Sequence, residues 1–367
     1  MAYRYYPLER MKRLSEAVFL SYGYGAEESA FITDVILAAD RAGIESHGVN
    51  RLDLYPHGID IGRIKLHAET TVEFETPISA VLDAHDGDGH LPSKLAMEMA
   101  IQKAKTCGIG MVAVRNSNHF GIAGFYSRMA LKEGLMGICM TNAEGLVVPT
   151  FGKQPMLGTN PIAVSMPAEP VPFHLDMATS VVPGGKLEVY AKNDQEVPHE
   201  WIVDSTGHDC TNPHEFNRIR FSKDDGGLLP LGGFGEKHSG HKGFGLALVV
   251  ELMTANFAHG NNGDRVRCVP DQEKTCHFFA ALDLNAFGDR DDIIRSFSDY
   301  LQRIRDSRKA DGHDRIYIHG EKELESEQRV EAEGIRVNEP TLREIEALCA
   351  RRGLNIHDFL EYKLDSE

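Results

Sequence analysis

The 367 residues of this chain can bury a substantial core, and that length favours two domains over one. Hydrophobic residues make up 42% and charged residues 26%, as in ordinary globular proteins, and the net charge of −16 opposes nonspecific binding of nucleic acid. No apolar run approaches the roughly 20 residues needed to span a bilayer, and residues 1–6 lack an apolar signal core, so we expect a cytoplasmic protein without a membrane partner.

The N-terminal part of the chain predicts helices followed by an extended segment. Apolar residues recur at helical spacing on both sides of Gly23-Tyr24-Gly25 within residues 8–42. A loop containing His47 follows, and then a short helix that ends near His57. Residues 72–84 are predicted to be extended and to end in an acidic turn, whose spacing does not match a calcium loop.

Residues 92–140 show the most regular alternation of helix and strand. The pattern predicts helices at 93–105 and 122–132 and strands at 111–114 and 136–140, an arrangement typical of a βαβ unit. Further extended segments are predicted at 162–166 and 173–176. Residues 183–235 are rich in Gly, Pro, Asp and Asn, and we expect them to be irregular with little helix.

The C-terminal third again predicts regular elements. A glycine-rich run precedes a helix at 246–257, a polar loop spans 259–275, and a strand covers 278–282. Helices are predicted at 291–308 and 341–351. The six cysteines are scattered without a C-x-x-C pair, so we interpret them as reduced thiols and predict neither a metal site nor a disulfide framework.

His119 is the first candidate for chemistry. It lies in Asn116-Ser117-Asn118-His119-Phe120-Gly121, which follows the apolar strand and precedes the amphipathic helix. Ligands of α/β proteins bind in such loops at the carboxyl ends of strands. An imidazole can exchange a proton with a hydroxyl or carbonyl oxygen near neutral pH. The alternative is a histidine that caps the helix or binds a backbone carbonyl.

His47 and Arg51 form a second candidate pair. In a helical segment, positions four apart share one face, and arginine presents a planar fork that fits a carboxylate. A proton carrier beside a carboxylate clamp suits a 2-hydroxy or 2-keto acid. The alternative is an unremarkable pair on a helix surface.

Three other segments allow either turns or phosphate contacts. Gly158-Thr159-Asn160-Pro161 predicts a turn before a strand. Asp176-Met177-Ala178-Thr179-Ser180 can supply hydroxyl and N–H groups to a phosphate or ribose, or can form an Asx or Ser/Thr turn. The run from Gly232 to Gly245 can cradle phosphates with Lys237 or Lys242, but it matches neither the Walker nor the G-x-G-x-x-G pattern.

Together these segments resemble the type-2 malate/L-lactate dehydrogenase family, which also includes sulfolactate, ureidoglycolate and diketogulonate dehydrogenases or reductases. The matching pieces occur in one order over nearly the whole chain. They are Ser46-His47-Gly48 with Arg51, Asn116 to Gly121, Gly158 to Pro161, Asp176 to Ser180, Pro198 to Trp201 with Asp204 and Gly207, Leu229 to Gly233, and Gly240-His241-Lys242-Gly243.

The resemblance implies an α/β fold without a Rossmann domain. It combines a mixed-sheet nucleotide-binding domain, expected at residues 73–290, with a helical domain built from both chain ends, expected at 1–72 and 291–367. It also implies a homodimer with the active site near the subunit interface.

The resemblance further implies roles for individual residues. His47 and His119 become the candidate acid/base pair, Ser46 and Arg51 would orient the substrate, and Asn118 and Thr159 would line its pocket. The cofactor, NAD or NADP, would be held by residues from four segments. These are His174, Asp176, Met177, Ala178, Thr179, Ser180, Lys242, Gly243, His319, Gly320 and Glu321. Many family members have Pro-Gly-Glu in the last segment, where this chain has His319 in place of the proline.

The leading hypothesis is therefore reversible hydride transfer between NAD(P) and a 2-hydroxy acid, with malate/oxaloacetate as the first substrate. A second hypothesis is reduction of another keto acid or a cyclic imino acid, of the lactate, sulfolactate, ureidoglycolate, diketogulonate or piperideine-2-carboxylate type. A third, from a different class, is a catalytically silent binding protein on the same scaffold.

Overall fold

The computed structural model describes residues 3–192, 194–222, 224–268 and 272–361, apart from the side chains of Lys192 and Phe221. The strands within these ranges are β1 Tyr3–Tyr6, β2 Thr71–Glu75, β3 Ser79–Asp83, β4 Ile109–Ser117, β5 Met136–Thr141, β6 Ile162–Met166, β7 Phe173–Met177, β8 Ile202–Val203, β9 Asp209–Cys210, β10 Gly227–Leu228, β11 Thr275–Leu282 and β12 Ile335–Asn338.

The α-helices in the same ranges are α1 Leu8–Tyr22, α2 Ala26–Arg41, α3 Leu54–Asp60, α4 His90–Cys107, α5 Ala123–Lys132, α6 Gly184–Lys192, α7 Pro213–Ser222, α8 Gly240–Glu251, α9 Arg290–Asp306, α10 Glu321–Glu333 and α11 Glu339–Arg351. A π-helical segment, Leu252–Asn256, continues α8. Over the described residues, none of the helices combines the length and apolar character needed to cross a bilayer.

A seven-stranded mixed sheet forms the centre of the molecule, in the order β2-β3-β4-β11-β5-β6-β7. β3 and β4 are parallel and are joined through α4, whereas all the other neighbours are antiparallel. This arrangement confirms the prediction of a mixed-sheet α/β fold. The βαβ unit predicted within 92–140 is present with one strand inserted, because β4 and β5, joined through α5, both run antiparallel to β11, which lies between them. Residues Thr275–Ala281 are all buried, which explains the central position of this strand.

The two ends of the chain share one hydrophobic core, as the family resemblance implies. Met11, Leu14 and Val18 of α1 pack in the same cluster as Ile345 and Leu348 of α11. β1 pairs antiparallel with β12 and so ties the first residues of the chain to the last helix. By contrast, α9 belongs to a separate small cluster beside β7. The domain boundaries themselves stay a prediction.

The prediction for residues 183–235 was wrong in one respect, because α6 and α7 are helices. Their apolar residues Leu187, Phe216 and Ile219 are buried, and a three-stranded sheet of β8, β9 and β10 lies beside them. The many Gly, Pro, Asp and Asn residues lie mostly between these short elements. Packing of a few apolar side chains thus overrides a composition that disfavours helix.

Candidate functional site

A cavity of about 160 Å³ brings together residues from seven separate parts of the chain. Five of the six predicted catalytic and substrate residues line it, namely His47, Arg51, Asn118, His119 and Thr159. The sixth, Ser46, lines a neighbouring cavity of about 230 Å³ and contacts His47. The sequence-predicted residues therefore converge on one place in the fold.

The loop that carries His47 is fixed by a buried carboxylate. It consists of two short 3₁₀ turns, Glu45–His47 and Val49–Arg51, which follow α2. Oδ2 of Asp40 accepts the N–H of Val49 at 2.8 Å. A Cβ atom at Gly48 would lie 1.9 Å from Oδ1 of Asp40, so only glycine allows this close approach. Because this segment forms 3₁₀ turns, His47 and Arg51 do not share an α-helical face as the spacing suggested.

His119 lies two residues after the end of β4, which extends three residues further than predicted, to Ser117. Its Nδ1 accepts the N–H of Gly121 at 3.3 Å and lies 2.9 Å from the hydroxyl of Tyr55. Both contacts engage Nδ1, which leaves Nε2 as the ring nitrogen for a ligand. The ring stacks on His47 with centroids 5.6 Å apart.

Both histidines are biased toward the neutral form. Burial, and then the nearby charge of Arg51, lower the pKa of His47 to about 4. Burial, followed by the proximity of His47, lowers the pKa of His119 well below its ordinary value. Loss of water disfavours the charged imidazolium in each case. Both rings are therefore neutral at neutral pH.

Asn118 and Thr159 have different environments on the cavity wall. Nδ2 of Asn118 donates to the carbonyl oxygens of Asp86 and Gly87, at 3.1 and 2.8 Å. Its Oδ1 is buried and has no hydrogen-bond partner in the part of the chain that the structure describes. A buried acceptor without a donor points to a ligand that supplies one. Thr159 contributes its carbonyl oxygen to the N–H of Thr179, at 2.9 Å.

Charged side chains form a second wall of the cavity, and all of them except Arg51 were missed by sequence reasoning. Arg51 donates from Nε to the carbonyl of Ser46 at 2.9 Å, and its NH2 group lies 3.6 Å from Glu188. Arg220 donates to the other oxygen of Glu188 at 2.6 Å. The remaining charged residues of this wall are Arg63, Glu144, Arg267 and Glu273.

Tyr55, which bonds His119, was also not predicted. The one sequence signal for Tyr55 is its position four residues after Arg51. Glu188 and Arg220 lie in the segment predicted to be irregular, and only tertiary folding brings them to Arg51.

The predicted cofactor residues divide between two neighbouring places. His174 and Asp176 line a second cavity of about 510 Å³ between α1, α2, α5 and α10. Asp176 accepts the N–H of Gly124 at 2.7 Å at the start of α5. A Cβ at Gly124 would lie 2.7 Å from Asp176 and from His174, so glycine is required there. Burial raises the pKa of Asp176 to about 6 and lowers that of His174 to about 4.

The chain after Asp176 connects this second cavity with α8. Met177 and Ala178 are half-buried, whereas Thr179 and Ser180 are buried and donate their hydroxyls to carbonyl oxygens. Thr179 in turn accepts the N–H of Leu231 at 2.8 Å. A Cβ at Gly243 would lie 2.2 Å from the carbonyl of Leu231, and Lys242 beside it is exposed. Backbone hydrogen bonds thus link Thr159, Thr179 and Leu231 into one path that leads to α8.

The segment 319–321 contacts His174, a lining residue of the second cavity, through the backbone. The carbonyl of His319 accepts the N–H of His174 at 3.0 Å, and the His319 side chain is exposed. A Cβ at Gly320 would lie 2.9 Å from the carbonyl of Pro172. Glu321 points inward and pairs with Arg305 and Arg315, at 2.6 and 3.0 Å. Its carboxylate is therefore already engaged by two guanidinium groups.

Comparison with known proteins agrees with this geometry. The malate/L-lactate dehydrogenase family matches residues 6–346. The chain is 43% identical to a malate dehydrogenase of Pyrococcus abyssi over 92% of each chain, and 33% identical to an L-sulfolactate dehydrogenase of Methanocaldococcus jannaschii over 96% of this chain and 98% of that one.

Solved structures give the same result. The crystal structure of malate dehydrogenase from Entamoeba histolytica superimposes with a TM-score of 0.92 and 35% identity, covering 96% of this chain and 99% of that one. The family, the mixed α/β fold and the enzyme class predicted from the sequence are thereby confirmed. The chain belongs to the malate/L-lactate dehydrogenase family and is a dehydrogenase of that type.

Proposed function

We propose that this protein transfers hydride reversibly between NAD or NADP and a 2-hydroxy acid, with malate/oxaloacetate as the substrate pair. The observation that carries the proposal is the pairing of two neutral histidines with Arg51 in one small cavity. The relatives named malate dehydrogenase support the choice of substrate.

His47 and His119 are proposed to carry the proton. In oxidation, a neutral imidazole accepts the proton of the substrate hydroxyl, and its lowered pKa keeps it in the required form. In reduction, the imidazolium returns a proton to the same oxygen. Ser46, at 2.9 Å from Nδ1 of His47, and Tyr55, at 2.9 Å from Nδ1 of His119, hold the two rings in place. Both histidines stay candidates for the direct proton carrier.

Arg51 is proposed to orient the substrate. Its guanidinium can bind the carboxylate next to the reacting carbon, which fixes the face that this carbon presents. Oδ1 of Asn118 would accept a hydrogen bond from the substrate or from the cofactor, which would satisfy its buried lone pairs. Thr159 would form part of the cavity wall between the substrate and the cofactor.

The described residues fit a nicotinamide dinucleotide, which would supply the hydride acceptor or donor. Gly124, Gly243 and Gly320 let the segments along this path pack closely, because a Cβ at any of them would collide with neighbouring protein atoms. His174, Asp176–Ser180 and Lys242–Gly243 would hold the cofactor along this path, and His319–Glu321 would border it. The experiment described below compares NADH with NADPH and so measures which cofactor the protein prefers.

The proposal also covers the oligomeric state of the protein and its location in the cell. Leu246, Val249 and Leu252 on α8 and the segment that continues it are 40%, 43% and 50% exposed, which supports a homodimer that covers them. All six cysteines lie in described segments as free thiols, which supports a cytoplasmic location.

The test is the loss of reduced-nicotinamide absorbance when purified protein meets oxaloacetate, with NADH and NADPH in parallel. We expect rapid loss with at least one cofactor. Pyruvate, sulfopyruvate and piperideine-2-carboxylate in the same assay distinguish the alternative substrates. Cofactor binding without turnover of any of these compounds would overturn the proposal and favour a silent binding protein.

A further inference from the structure

The carboxylate of Glu188 occupies the position between two arginines of the catalytic cavity. Arg220 donates to its Oε1 at 2.6 Å, and NH2 of Arg51 lies 3.6 Å from its Oε2. The three side chains are 25%, 28% and 29% exposed, so they reach the cavity without extending into bulk solvent. An acid group held by two guanidiniums is the arrangement that an anionic substrate would need.

The charged side chains on this wall form two groups that differ in net charge. Arg267 lies 3.2 Å from both Glu144 and Glu273, and Arg63 lies 3.7 Å from Glu273, so two cations meet two carboxylates. In the other group, Arg51 and Arg220 share the single carboxylate of Glu188. Among the described lining residues, the excess positive charge of the cavity therefore lies between Arg51 and Arg220.

The positions of the two guanidiniums match a short dianion. They contact opposite oxygens of one carboxylate, so they are close enough for a four-carbon diacid to reach both. A monoanion that binds Arg51 alone would leave the pairing of Arg220 with Glu188 intact. A dianion can replace Glu188 at both guanidiniums.

We propose that Arg220 is the specificity-determining residue that binds the second acid group of the substrate, and that Glu188 is a built-in competing carboxylate which a dianionic substrate displaces. This inference rests on the proposed function, because it places the first carboxylate on Arg51. It explains how a cavity that accepts 2-keto acids can select a dicarboxylate over an acid that ends in a methyl group.

The first test compares oxaloacetate with 2-oxobutyrate, which has the same chain length but a methyl group in place of the second carboxylate. In Arg220→Met we expect kcat/KM for oxaloacetate to fall about 30-fold or more, as for truncation of a buried charge pair, and kcat/KM for 2-oxobutyrate to change little. Arg220→Lys keeps the charge and should recover part of the loss. An equal fall for both substrates, or no change for oxaloacetate, would overturn the proposal.

Arg218 offers the matched control on the same helix. It is exposed and pairs with Glu215 and Asp224 rather than with cavity residues. We expect Arg218→Met to keep the ratio of the two kcat/KM values at the wild-type level. Thermal unfolding of both methionine variants shows whether either change disturbs the fold.

Glu188→Gln tests the second half of the proposal. Removal of the competing charge should lower KM for oxaloacetate several-fold. An increase in KM would mean that Glu188 positions the arginines and does not compete with the substrate.

Calorimetric binding of succinate and butyrate provides a readout that needs no turnover. Wild-type protein should prefer succinate, and Arg220→Met should lose that preference. If no keto acid is reduced but the succinate preference depends on Arg220, the proposed function fails and the assignment of Arg220 stands. If oxaloacetate is reduced but the preference does not depend on Arg220, the assignment fails alone.

Discussion

The two walls of the candidate site differ in their electrostatics. On one wall, His47 and His119 stack on each other, and burial keeps both rings neutral. On the other, Arg51 and Arg220 share the carboxylate of Glu188. A proton carrier needs a pKa that the site can tune by desolvation, whereas an anion clamp needs a charge that does not titrate. Both kinds of group line one cavity of about 160 Å³.

Removal of an imidazole should produce the largest effect if the histidine wall carries the proton. We expect His119→Ala or His47→Ala to lower kcat for oxaloacetate reduction by about 10²- to 10⁴-fold, as for loss of a general acid or base. The steady-state rate at saturating substrate measures this effect. His214→Ala serves as control, because His214 is exposed and pairs with Asp194. Turnover close to wild type in both single variants would remove the histidines from the mechanism.

Arg51→Lys should act mainly on substrate binding, since Arg51 belongs to the wall of charged side chains. Lysine keeps the charge but loses the planar fork, so KM for oxaloacetate should rise about tenfold or more. The value of kcat should change much less than KM. Initial rates over a range of oxaloacetate concentrations separate the two parameters. An unchanged KM would show that the first carboxylate binds elsewhere.

Tyr55→Phe should have a smaller effect on the histidine wall. It removes the hydroxyl that lies 2.9 Å from Nδ1 of His119 while the aromatic ring stays in the core. We expect kcat to fall about fivefold, in line with one hydrogen bond, with KM nearly constant. A rise in KM without a change in kcat would instead make Tyr55 a substrate contact.

The pH profile of malate oxidation should show the smallest change of all. Oxidation of malate needs a neutral imidazole, and the pKa of His47 is lowered from 6.5 to about 4. The value of kcat/KM for oxidation should therefore stay nearly constant from about pH 8 down to about pH 5. Reduction needs the protonated ring, so its rate should increase as the pH falls through this range. An acidic limb near pH 6.5 in the oxidation profile would mean that the proton carrier is not desolvated.

The sequence predicted one wall of the cavity better than the other. His47 and His119 belong to short motifs beside well-formed elements, and Arg51 lies four residues after His47. Glu188 and Arg220 had no comparable signal, because their helices α6 and α7 lie in a segment whose composition favours irregular structure. Their contact with Arg51 joins distant parts of the chain, and local spacing carries no information about such contacts.

The fold shows the same difference between elements with a local sequence signal and contacts between distant parts of the chain. The helices α1 and α2 and the elements from α4 to β5 follow from local periodicity. The insertion of β11 between β4 and β5 depends on a pairing between strands far apart in the chain. The strands β1 and β12 and the helix α10 were also missed, since β1 and β12 are short and the exposed residues of α10 are almost all charged or polar.

The most direct test is the crystal structure of the protein with reduced cofactor and tartronate, a nonreacting analogue of malate. We expect one carboxylate of tartronate on the guanidinium of Arg51 and its hydroxyl within hydrogen-bond distance of a ring nitrogen of His47 or His119. Binding of tartronate outside this cavity, or with its hydroxyl away from both histidines, would contradict the assignment of proton transfer and anion binding to these two walls.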